Sequence, residues 1–176
     1  MTTKTKIVLD ADVIIHFVKA GRFSFLLDIF PEYQYIILDV VYDEVTINRT
    51  VKTQIDNTLT FFGKRIKNIK FEPKGTSRYE YAKLRSELML GKGESACMVY
   101  CRDNKDVLGS SNLRDIREYC SKYQITYLTT IDFLYYAYIR KKMSKEEITS
   151  FIDEVIDKGS KLPQIDIEKY SPTSLI

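Results

Sequence analysis

The sequence predicts an α/β domain in three layers, with helices on both faces of a central, mostly parallel sheet. Three observations predict it. Four short apolar runs, Ile7 to Leu9, Tyr35 to Leu38, Val107 to Leu108 and Ile125 to Leu128, have the length and composition of buried strands. The segments between them carry helical spacing, so the order is strand, helix, strand, helices, strand, helix, strand, helices. Such alternation requires crossover connections and hence parallel pairing. Finally, polar residues (Asp10, Asp39, Ser110, Thr129) follow closely on each run, and open α/β sheets bind ligands at the carboxyl ends of their strands.

Taken in order, Leu9 gives way to Asp10, and Asp12 follows two residues on. Asp is a favoured helix cap, but capping explains one carboxylate and not two. Val13 to Phe30 reads as helix interrupted near Gly21, with Phe25, Leu26, Ile29 and Phe30 at helical spacing and Pro31 as the stop. Asp39 is placed to cap a helix from Val40, which puts Glu44 in or just after its first turn, near the strand ends. Val51 to Lys64 reads as helix and Ile69 to Phe71 as a short edge strand. Lys64, Arg65, Lys67, Lys70 and Lys74 crowd this region; a charge run is usually a solvated face, and the functional alternative is a rim that holds phosphates. Ser77 with Glu80 has the pattern of a capping box for a helix running to about Leu90. Gly91 and Gly93 allow a sharp turn, after which Glu94 opens a helix, a comfortable place for an acid. Ser110, Ser111 and Asn112 end the next strand, and a helix runs from about Leu113 to Tyr123. Thr129 and Asp132 begin a helix reaching Lys141, where an ordinary capping role accounts for Asp132. Ser144 with Glu147 starts a last helix that ends at Gly159. From Lys161 onward the chain reads as irregular.

The 176 residues suit one domain, and 44% hydrophobic residues are enough for a substantial core. A net charge of +3 neither demands nor opposes a nucleic-acid partner. Three cysteines and one histidine do not make a zinc site, and Cys97 and Cys101 share a helical face as reduced, buried thiols. MTTKTK leads straight into the first strand, and no apolar run approaches the ~20 residues of a membrane span. The expectation is a cytoplasmic protein with no membrane partner.

Asp10, Glu44, Glu94 and the polar triplet Ser110 to Asn112 all fall near strand ends, and a doubly wound sheet brings those places to one edge. Each acid alone has a capping explanation. Together they repel, and each raises the other's pKa unless a cation neutralises them. Oxygen ligands without His or Cys suit Mg²⁺ or Mn²⁺, ions that polarise phosphoryl groups.

The segments IVLDADVII, VVYDEV, GKGESACMVY, VLGSSN and ITYLTTIDFLYYA resemble the PIN-domain nucleases in order and approximate spacing, over roughly residues 6 to 140. The resemblance implies a compact α/β/α fold over residues 1–160, with 46–90 a family-variable helical segment and 161–176 an irregular tail. It implies metal-dependent cleavage of single-stranded or structured RNA. Many relatives are toxins paired with an antitoxin protein, and relatives often form homodimers. Carried over, Asp10, Glu44 and Glu94 match the first, second and third metal-binding acids, and Asp12 stands where relatives often support the first ligand. The fourth acid is replaced by Ser110, Ser111 and Asn112. Asn112 still offers a carbonyl oxygen, and Asp115, one turn on, is the substitute acid. The alternative that this departure opens is a catalytically degenerate PIN-like module that binds RNA or protein.

Other motifs are weak. LGKGES lacks the spacing of a phosphate-cradling loop. Ser95 and Ser110 have no histidine partner, because His16 lies on an apolar stretch and reads as a packed residue. Tyr135, Tyr136 and Tyr138 can stack bases, but neighbouring helical positions more often divide between core and surface.

Overall fold

The computed structural model describes residues 5–176. Among them, β1 (Lys6–Leu9), β2 (Gln34–Leu38), β3 (Ile66–Ile69), β4 (Val107–Gly109) and β5 (Tyr127–Leu128) form a sheet in the order β3-β2-β1-β4-β5. Every pairing is parallel. The strands are short and, apart from β3, almost wholly apolar and buried, as strands covered on both faces must be.

The connections run α1 (Ala11–Lys19), α2 (Phe23–Ile29), α3 (Asp39–Val45), α4 (Arg49–Phe62), α5 (Thr76–Ser86), α6 (Lys92–Asn104), α7 (Leu113–Tyr123), α8 (Thr130–Ile139) and α9 (Lys145–Asp157). Right-handed crossovers put α1, α2 and α4 on one face and α5 to α7 on the other. After β5 the chain returns to the first face, where α8 packs on α2 and α9 on α1. The short α3 touches both α1 and α6, so it bridges the layers where the strands end. This is the three-layer α/β/α architecture expected.

Phe133 on α8 is fully buried and meets Phe17 and Phe30 edge-on, with ring centroids 6.1 and 5.9 Å apart. These contacts lock the helices of the first face together. All three cysteines are free and buried. Tyr136 is buried while Tyr135 and Tyr138 are half-buried, the division expected of adjacent helical positions.

Several local expectations need correction. Ser77 does not cap its helix: its hydroxyl donates to Asp103, while Glu80 faces Tyr123 and Arg102. A tertiary partner outcompetes the local one. That helix stops at Ser86, not near Leu90, and Met89 adopts a left-handed conformation at φ 56°. Gly93 makes no turn; it is helical and buried in the first turn of α6. Glu44 does fall just after the first turn of α3, as expected, but the helix is so short that this is also its last turn. The edge strand falls at Ile66–Ile69, two to three residues earlier than expected. Asp39 is the first residue of α3 and not its cap, which is Leu38; its carboxylate accepts from the Val40 N–H and from the Phe71 N–H, both at 2.9 Å.

The capping boxes at Thr129/Asp132 and Ser144/Glu147 both form. The final stretch has only a 3-10 turn at Ile167–Lys169, yet it is docked. Ile167 is buried, and the Tyr136 hydroxyl donates to the Ser174 carbonyl at 2.9 Å. No helix among the described residues is long and apolar enough to cross a membrane.

Candidate active site

Strand order reverses direction between β1 and β4, and the crevice at that switch point is where this kind of sheet places ligands. Asp10 sits there. Its N–H donates to the Gly109 carbonyl at 2.8 Å, closing β1 onto β4. One carboxylate oxygen caps α1 by accepting from the Ala11 N–H at 2.8 Å, and the other accepts from the Ser110 hydroxyl at 3.1 Å. Asp12 accepts from the Val13 N–H at 2.6 Å and from the Ser111 N–H at 2.7 Å. The serines that replace the fourth acid thus hold both carboxylates of the first motif in place.

Ser111 is anchored in turn. Its hydroxyl donates to the Thr130 hydroxyl at 2.9 Å and accepts from the Thr130 N–H at 2.8 Å. Thr130 also bonds His16 Nδ1 at 2.8 Å. Burial, helped by Lys19, holds His16 down to a pKa of about 4, so it is a neutral packed residue, as the apolar stretch implied.

Asp10 is 5% exposed. Burial first, and then the charge of Asp12, push its pKa up to about 8. Asp12 is raised by burial. Glu94 is raised to about 7 by burial and then by Asp115 and Asp12, offset by the Asn112 amide. Asn112 donates to Asp115 at 2.7 Å. The structure therefore brings Asp10, Asp12, Glu94, Asn112 and Asp115 into one electrostatic neighbourhood. Arg114, the cation nearest Asp115 at 3.9 Å, is 94% exposed and neutralises little.

Glu44 approaches from α3. Its carboxylate lies against Gly93, the residue before Glu94, and a Cβ there would sit 2.8 Å from Glu44 Oε2 and 3.0 Å from Val41 Cγ2. Gly93 is a close-approach residue, and its position inside the helix gave no local signal of that. Gly93→Ala is expected to cost about 1–3 kcal/mol and to push Glu44 off α6. The measurement is a denaturant melt beside a cleavage assay; an unchanged midpoint would contradict the packing described.

Glu94 Oε1 is buried without a hydrogen-bond partner. An orphaned carboxylate oxygen, among acids whose pKa values are raised by burial and then by one another's charge, is the donor set a hard divalent cation satisfies. Asp10 and Glu94 thus fit a divalent cation in charge and ligand chemistry, while Glu44 is exposed and lies against Gly93. Among the described residues, no three acid, His or Cys side chains are already gathered tightly enough to enclose an ion.

A family model described as PIN domain matches residues 6–169. No curated protein sequence matches the chain. Among solved structures, the chain is similar to one from Rickettsia felis, VapBC2 bound to a DNA fragment from its promoter. The likeness has a TM-score of 0.52 at 15% identity and covers 71% of this chain and 98% of that one. At that identity it speaks for the fold alone.

Proposed function

The chain belongs to the PIN-domain family, and from that premise we propose that it is a divalent-metal-dependent ribonuclease that hydrolyses RNA phosphodiester bonds, as the toxin of a cytoplasmic toxin–antitoxin pair. The observation that carries the reading is Asp10, buried at the switch point of the sheet, beside a half-buried Glu94 whose Oε1 has no hydrogen-bond partner, with both carboxyls raised, to about 8 and about 7. Carboxyls perturbed by burial and by a neighbouring like charge cluster at functional sites.

Asp10, Glu94 and Glu44 hold the ion, with Asn112 contributing a neutral oxygen. When bound, Mg²⁺ or Mn²⁺ supplies Lewis-acid polarisation of the phosphoryl group. Ser110 and the Ser111 N–H orient Asp10 and Asp12. Asp115 accepts from the Asn112 amide and fixes that side chain beside Glu94. Arg114 and Arg117 on α7, with the Lys64 to Lys74 rim, attract the RNA backbone by charge that weakens as salt rises. By analogy with VapBC2, which shares the fold, the proposal includes an antitoxin partner. Exposed apolar side chains such as Phe61 and Ile47 give an antitoxin or a second copy of the chain something to cover.

The second reading is a PIN-like module that binds RNA or protein without cutting, favoured by the uncharged Ser110-Ser111-Asn112. A mixed RNA pool incubated with Mn²⁺ separates the two. Wild type is expected to cut it and Asp10→Asn to leave it whole; an intact pool with both proteins leaves only the binding module.

A further inference from the structure

A groove of about 430 Å³ opens beside Glu44, lined by Val40, Asp43, Glu44, Arg85 and Lys92. Two acids from α3 face two cations from α5 and α6 across it. Among the described residues no ion pair within 4 Å joins them, whereas Arg22, Arg65, Arg102 and Arg140 are each paired with an acid elsewhere. Opposite charges left apart across an open groove have room for a third charged group between them.

Lys92 has no structural reason to be where it is. It is the first residue of a 13-residue helix, at the end where the helix dipole disfavours a cation. It is exposed, and the preceding Gly91 gives no side-chain cap. A local rule broken without a packing gain is characteristic of functional positions. Arg85 has a partial structural role: it sits in the last turn of α5, where a cation is favoured, and its Nη1 donates to the Leu90 carbonyl. Its remaining donors are available to the groove.

We propose that Lys92, assisted by Arg85, holds the phosphodiester backbone of the RNA strand in this groove, one step along the strand from the acids. The inference rests on the ribonuclease reading and adds the residues that seat the substrate. Lys92 acts as a point charge on one phosphate and Arg85 as a forked donor to the same or the next one.

The test is binding of a labelled single-stranded RNA without divalent metal, over a series of salt concentrations, for wild type, Lys92→Gln, Arg85→Gln and Lys92→Arg. Loss of one phosphate contact reduces the slope of log K against log salt by about 0.7 for a single strand. Lys92→Gln is expected to show that reduction with a several-fold weaker Kd, Arg85→Gln a comparable weakening, and Lys92→Arg neither change. Lys92→Glu guards against misfolding: an acid suits that helix end, so this variant is expected to melt no lower than wild type and to bind RNA more weakly still. If wild type neither binds nor cuts RNA, the ribonuclease reading and this inference fall together. If wild type does both while Lys92→Gln matches it in Kd and slope, only the assignment of Lys92 falls.

Discussion

Replacing Asp10 by Asn is expected to abolish RNA cleavage, by on the order of a hundredfold or more, and at the same time to make the metal-free protein more stable at alkaline pH. The two effects share one cause. Asp10 is buried beside Asp12 and Glu94, and its pKa rises from 3.8 unfolded to about 8 folded. A carboxyl raised in this way contributes its full stability below about pH 4, where it is protonated in both states, and loses it as pH climbs toward 8. Glu94, raised from 4.5 to about 7, adds a loss in the same direction over a narrower window. In EDTA the wild-type melting temperature should therefore fall between about pH 4 and pH 8. Asp10→Asn, which keeps the shape and the Ala11 cap, should follow a flatter curve and melt several degrees higher at pH 8.5. Saturating Mn²⁺ should raise the wild type at that pH and leave the variant unmoved. Equal pH slopes for the two proteins in EDTA would contradict the burial of an uncompensated charge at this position.

Asp132→Ala is expected to lower the melting temperature by roughly 6–12 °C, which corresponds to about 3 kcal/mol in a domain of this size. Its carboxylate is fully buried and accepts four hydrogen bonds: from the Thr129 N–H and hydroxyl at 2.7 and 2.8 Å, and from the Tyr170 hydroxyl and Thr173 N–H at 2.9 and 2.7 Å. The first two cap α8 and the last two strap the tail to it. Truncation orphans all four donors, so the tail should detach and become open to trypsin after Lys169. Mn²⁺ affinity should stay within about twofold of wild type, since Asp132 faces the tail and not Glu94; a tenfold loss would make it an acid of the metal site.

The sequence carried the fold well because strand composition and polar strand ends are local signals. The run Ile7 to Leu9 stopping at Asp10 reports both a strand and the place where it ends, and Thr129 with Asp132 reports a capping box that forms. What was hidden depends on partners distant in the chain. Ser77 carries a capping pattern, but its hydroxyl goes to Asp103, 26 residues away. Gly93 looks like turn punctuation, yet it serves the contact with Glu44 from another layer. The place of Glu44 just after the first turn of α3 was legible, while the end of that helix one residue later was not, because no local pattern reports a short helix lying across the strand ends. Ser110 and Ser111 read as the loss of an acid; only their bonds to Asp10 and Asp12 reveal what they hold. The tail, without periodicity, gave no sign of its docking on Asp132.

The decisive measurement is a crystal structure of the wild-type protein soaked in Mn²⁺, with the ion located by its anomalous scattering. The expected result is an ion held by carboxylate oxygens of both Asp10 and Glu94, with Glu44 or Asn112 in its shell. Millimolar Mn²⁺ that leaves those two carboxylates without an ion, or that binds only elsewhere, would contradict the assignment of this crevice as the catalytic centre.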